Sequence, residues 1–200
     1  MENMGDLAKS VNLVPEEKSI TQMFLDLTGH GTGIASIIAG NDEGDIQGIN
    51  PNVELYSVKV LDKENKAPLS RIIEGIYWCI ENDVNIINMS FGTPVCSYAM
   101  EKAVQDAYDA NILMVGASGN HADNVEYPAA FDEVMAVAAT NTNSEIAAFS
   151  NTGEKLEVAA PGEKIKAAGF FLSLIHISPV LSATLSLVSC CTIVNTPFLE

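Results

Sequence analysis

Leu55-Tyr56-Ser57-Val58-Lys59-Val60-Leu61, followed by Ser70-Arg71-Ile72-Ile73-Glu74-Gly75-Ile76-Tyr77-Trp78-Cys79-Ile80 and then Val84-Asn85-Ile86-Ile87-Asn88-Met89-Ser90-Phe91, decides the fold of this chain. The first and last segments are apolar and β-branched, as buried strands are. Between them Ile72, Ile73, Ile76, Tyr77 and Ile80 recur at spacings of three and four, which builds one apolar helix face, with Ser70 placed to cap it. A strand, a helix and a second strand within 37 residues make a crossover unit, and crossover units join parallel strands.

Working outward, Ser97 to Ala110 predicts another helix with Ala99, Ala103, Ala107, Met100, Val104 and Tyr108 on a broad face, stopped at Asn111. Ile112 to Ala117 and Val134 to Thr140 read as further strands, and Leu156 to Ala159 as one more. The expected architecture is α/β, with helices on both faces of a mostly parallel central sheet in three layers. In such sheets ligands lie beyond the carboxyl ends of strands, which directs attention to Asn88-Met89-Ser90-Phe91-Gly92 and Gly116-Ala117-Ser118-Gly119-Asn120. Both endings are small and polar, so a peptide backbone can approach them closely.

Two hundred residues, 48% hydrophobic and 18% charged, support a single core. A formal charge of -16 excludes a phosphate-binding surface, and with it nucleic acid as the partner. Cys79, Cys96, Cys190 and Cys191 lack metal-ligand spacing. Ala167 to Pro197 holds no Asp, Glu, Lys or Arg, in sharp contrast to the acidic sequence before it. Pro179, the many hydroxyl residues and the lack of a basic flank argue against a membrane span there. No apolar run precedes Ile20, so no signal peptide is visible.

Leu27-Thr28-Gly29-His30-Gly31-Thr32-Gly33 sets a histidine between glycines at the start of a small-residue helix. The helix start fixes the direction of the imidazole, and its partial positive charge disfavours imidazolium, so a carboxylate would be needed to restore basicity.

Gly29-His30-Gly31-Thr32, Asn88-Met89-Ser90-Phe91-Gly92, Ala117-Ser118-Gly119-Asn120, Tyr127-Pro128-Ala129, Phe149-Ser150-Asn151-Thr152-Gly153 and Ala160-Pro161-Gly162 occur in the order and approximate spacing of the subtilisin-like serine proteases. Residues 28–166 thus resemble part of a subtilase catalytic domain, preceded by a remnant and loop at 1–27 and followed by an unmatched tail at 167–200. The resemblance implies a Ser-His-Asp endopeptidase acting on polypeptides, with His30 as general base and Asn120 as oxyanion donor. It further implies that Ser90, Phe91 and Gly92 pair with the substrate backbone. Gly116, Ala117 and Ser118 then wall the pocket for the side chain at the cleaved bond, where small residues leave room for large apolar groups. No cofactor is implied beyond an optional structural calcium near Asn41-Asp42-Glu43-Gly44-Asp45-Ile46-Gln47. An acidic surface turn is the more common explanation of such a loop, and no metal ligands are assigned. By family analogy the enzyme is extracellular or held at the cell surface.

Two family elements have no counterpart here: the strand-borne aspartate ahead of the histidine and the Gly-Thr-Ser-Met-Ala serine segment. The expectation is an incomplete domain whose tail is out-of-frame or unrelated sequence. Alone it would lack triad activity and fold poorly because strand edges stay exposed. Two other readings fit parts of the chain. One is a non-catalytic peptide-binding relative. The other is a dinucleotide-binding protein, since Gly31-Thr32-Gly33-Ile34-Ala35-Ser36 approaches G-x-G-x-x-G, although Ser36 replaces the third glycine and Glu54 precedes its strand. His121 and His176 read as non-catalytic, His121 as a solvated loop side chain.

Overall fold

A computed structural model describes residues 10–17, 26–40 and 46–168, together with the backbone of two strands at 175–176 and 191–195. Most of the uncharged tail, residues 41–45 of the acidic loop, and the Met23-Phe24-Leu25 segment ahead of the glycine run lie outside these residues.

The elements are β1 (Val11–Asn12), α1 (His30–Ala39), β2 (Glu54–Lys59), α2 (Leu69–Glu81), β3 (Ile86–Met89), α3 (Tyr98–Asp109), β4 (Leu113–Ala117), β5 (Val134–Thr140), β6 (Leu156–Pro161), β7 (Lys166–Ala167), β8 (Ile175–His176) and β9 (Cys191–Asn195). Seven strands form the main sheet in the order β1-β2-β9-β3-β4-β5-β6, and β7 and β8 make a separate antiparallel pair. Every ladder of the main sheet is parallel except the two made by β9, which runs antiparallel to both β2 and β3. The facing edges of β2 and β3 are therefore covered, and β1 and β6 are the edge strands. Backbone N–H and C=O groups need partners, and a strand from the tail supplies them.

The three layers follow from the period of two along the strands. Tyr56, Val58, Ile87, Met89 and Met114 point to one face, where Ile72, Ile76 and Cys79 of α2 and Met100, Val104 and Ala107 of α3 cover them. Leu55 and Ile86 point the other way and meet Ala35, Ile38 and Ala39 of α1. Ile76 is fully buried at the centre of the larger cluster.

The caps differ from the sequence expectation in one place. Ser70 lies inside α2, and Pro68 occupies the N-cap with an extended ψ of 148°. Proline lacks an N–H, so it leaves no donor stranded before the first turn. Ser97 does occupy the N-cap of α3, with no side-chain cap bond. Asn111 follows the C-cap with φ 62°, the left-handed conformation that ends helices and that asparagine tolerates. Among the described residues no helix is long and apolar enough to cross a membrane, and no group of three or more His, Cys, Asp or Glu side chains is placed to hold a metal ion.

Replacing Ile76 by alanine removes a fully buried side chain from between α2 and the sheet. It is expected to cost about 2–5 kcal/mol, read as a lower urea midpoint at unchanged m-value.

Candidate active site

Position 26 is what aims the histidine helix. Asp26 Oδ1 accepts from the Thr28 and Gly29 N–H groups at 3.1 and 3.0 Å, and its Oδ2 accepts from the Thr32 N–H at 2.8 Å. A carboxylate thus satisfies donors that the first turn of a helix leaves without intrahelical partners. Burial works to raise the pKa of Asp26, but the bonds from Thr32, Thr28 and Gly29 outweigh it and hold the carboxyl below its ordinary 3.8. The N–H groups that a dinucleotide phosphate would need are therefore occupied by the protein's own anion. Gly31 and Gly33 also lie within α1 rather than in a loop before it, which removes the phosphate-loop reading on geometric grounds.

His30 is the first residue of α1, half-buried. Its Nε2 lies 3.5 Å from the Ser90 carbonyl oxygen. Its Nδ1 is buried and has no hydrogen-bond partner among the described residues. Desolvation lowers the pKa of the imidazole below 6.5, against upward contributions from the Ser90 carbonyl and the Asp26 charge. Burial is thus the largest influence on the basicity of His30. Asp26 is the carboxylate that partly counters it.

Strands β3 and β4 are parallel neighbours, with Asn88 opposite Val115 and Met89 opposite Gly116. This register delivers Ser90-Phe91-Gly92 and Ala117-Ser118-Gly119-Asn120 side by side at one end of the sheet. Ser90 is buried, and the Asn88 amide donates to its hydroxyl at 3.3 Å. Phe91 is half-buried against the core, Gly92 is exposed, and Asn120 is half-buried just after Gly119. Gly116 and Ser118 have additional internal duties. A Cβ on Gly116 would stand 2.9 Å from that of Ala129 and 3.0 Å from Val134, so close packing demands glycine there. Ser118 donates its N–H to the Val137 carbonyl and accepts from the Glu126 N–H, both at 2.9 Å, which leaves its backbone engaged within the protein.

Two residues important to this geometry had weak sequence signals. Asn151, fully buried, accepts from the His121 and Asp123 N–H groups at 2.8 and 3.1 Å and donates to the Asn124 carbonyl at 2.7 Å, fastening the loop after Asn120. It appeared only as part of a motif. Glu126 belongs to none of the motifs the sequence offers. It pairs with His121, Oε1 to Nδ1 at 2.8 Å, with the histidine side chain 75% exposed and that of the glutamate only 11%. His121 is solvated, as expected, and also makes a hydrogen-bond contact with Glu126.

The Subtilase family profile matches residues 3–196. The chain belongs to the subtilase family. It is 43% identical over 150 residues to the minor extracellular protease Epr of Bacillus subtilis, covering 74% of this chain and 23% of that protein. Similarity to subtilisin DY of Bacillus licheniformis is 40% over 146 residues, covering 70% and 53%. Among solved structures, the prenylagaramide maturation protease PagA superposes with a TM-score of 0.73 at 28% identity, covering 92% of this subtilase chain and 67% of that one. A mutant protease domain of PatA gives 0.72 at 30% identity, covering 78% and 60%. The fold is thus subtilisin-like α/β. The chain spans 23% and 53% of the length of Epr and subtilisin DY.

Two outcomes follow for this subtilase site. Asp26→Ala removes the cap of α1 and is expected to cost about 0.5–2 kcal/mol in a denaturant titration. The His30 ring, followed by NMR, is expected to titrate below 6.5. Because the unfolded chain then binds more protons, stability contributed above that pH is lost as the pH falls through the unfolded and then the folded pKa.

Proposed function

We propose that these residues serve a serine endopeptidase that hydrolyses peptide bonds by a Ser-His-Asp mechanism. The observation that carries this reading is His30. It presents Nε2 towards the strand end at Ser90 and holds a buried Nδ1 with no hydrogen-bond partner among the described residues. A buried polar atom without a partner is costly, and a triad carboxylate accepting from Nδ1–H would remove that cost while fixing the tautomer.

In the proposed reaction the serine hydroxyl attacks the scissile carbonyl as His30 Nε2 takes its proton. The resulting imidazolium then returns that proton to the leaving amine, and water repeats the sequence to release the acyl group. The depressed pKa of His30 keeps the free base available at neutral pH. Asn120, at the end of the β4 loop, donates its side-chain N–H to the developing oxyanion. Ser90, Phe91 and Gly92 flank the extended substrate on one side, and Ala117 with the Gly116 and Ser118 backbone flanks it on the other. The chemistry uses side chains alone, with calcium at most a structural ion. The relative named as extracellular supports an exported or surface location.

Full-length gene product containing these residues is expected to react with a fluorophosphonate probe, and His30→Ala to abolish that labelling. Asn120→Ala is expected to lower kcat by about 10²–10³-fold with little change in KM. If intact protein binds peptide yet never labels, the site belongs to a non-catalytic relative instead.

A further inference from the structure

The loop between Asn120 and Pro128 returns a carboxylate to the two strand ends. The Thr93 and Tyr127 backbones exchange N–H···O bonds of 2.9 Å in both directions, and the Glu126 N–H donates to the Ser118 carbonyl, so residue 126 is clamped between the β3 and β4 ends. Its side chain then lies against both walls. A Cβ on Gly92 would overlap the Glu126 carboxylate and stand 3.1 Å from Glu126 Cβ, and a Cβ on Gly119 would stand 3.1 Å from Glu126 Cδ. Gly119 has φ 113°, which also favours glycine. The two glycines therefore make room for this carboxylate, and Asn151, packed against Gly119, holds the loop that carries it.

We propose that Glu126 is the specificity-determining residue of the site and selects a lysine or arginine side chain at the cleaved bond. This rests on the protease reading above and replaces the large apolar preference expected from sequence.

The Glu126 side chain is only 11% exposed, and its Oε1 lies 2.8 Å from Nδ1 of the solvent-exposed His121, a contact that becomes an ion pair only when that histidine is protonated. A carboxylate so placed has lost hydration without gaining a permanent cation. It disfavours an apolar occupant, which would complete the desolvation, and favours an ammonium or guanidinium, which would compensate it. Arginine offers paired donors to both carboxylate oxygens, lysine a single charged centre. The net charge of -16 acts in the same sense at long range by drawing cationic peptides toward the domain.

The test compares peptide p-nitroanilides ending in Arg, Lys and Phe as substrates of the full-length enzyme. The expected result is a higher kcat/KM for Arg and Lys than for Phe. Glu126→Gln should reduce the Arg value by about 10–100-fold and leave Phe unchanged or improved, while Glu126→Asp should retain a basic preference. A Phe preference in the wild type, or an Arg to Phe ratio that Glu126→Gln leaves alone, overturns the proposal while the protease reading survives. Should no substrate be cleaved and no fluorophosphonate bind, the protease reading fails. The pocket is then judged by benzamidine. Perturbation of the Gly92 and Gly119 amide resonances by benzamidine, abolished in Glu126→Gln, upholds a cation-selective pocket, and unperturbed amides overturn it.

Discussion

The parallel pairing of β3 with β4 is the constraint on which this site depends. Parallel strands point their carboxyl ends in the same direction, so the residues that follow Met89 and Ala117 emerge together at one edge of the sheet. The pairing is held from both sides by the alternation of the strands, with Ile87, Met89 and Met114 packed under α2 and α3 and Ile86 under α1. A slip of one residue would turn Ile87 and Met89 out of the larger core and move Asn88 to the opposite face of the sheet. The placement of the two strand ends is therefore as well determined as the core itself.

On this frame the site is assembled from short loops, each fixed by a buried polar group. Asp26 binds the first N–H groups of α1 and so directs His30. Asn151 does the same for the loop from His121 to Asn124. Ser150 accepts from the Ala139 N–H at 3.0 Å and approaches Ser118 within 3.4 Å, tying the β4 loop to β5. Buried polar atoms of this kind specify position because every alternative arrangement leaves an unpaired donor or acceptor. The electrostatics divide accordingly. N–H donors hold the Asp26 carboxyl below its ordinary range, burial lowers the pKa of His30, and the Glu126 side chain packs between Gly92 and Gly119.

Much of the fold was legible because the strands and helices repeat simple periods. The limits of β5 match the sequence expectation, and those of β2, β3, β4 and α3 agree within about two residues, since apolar runs bounded by polar turns leave little choice. The cap of α2 was misread because Ser70 has the preferred chemistry, while Pro68 sets the entry of the chain. The pairing of β9 between β2 and β3 had no sequence signal. Nothing in Cys191–Asn195 encodes where in a sheet an apolar run will find unpaired backbone.

The sequence by itself determined the family and the α/β class of the protein, because family motifs are local strings whose glycines and small residues answer to local backbone demands. Tertiary structure alone decided which groups meet. It brought Ser90 to His30 across 60 positions. It turned Gly116 and Ser118 partly inward, and it placed Glu126 between Gly92 and Gly119. The physical reason is that a carboxylate in a loop reads the same in sequence whether it faces water or a crevice. Only the packing of the elements around it fixes which of the two it faces, and with that its solvation and the charge of the partner it favours.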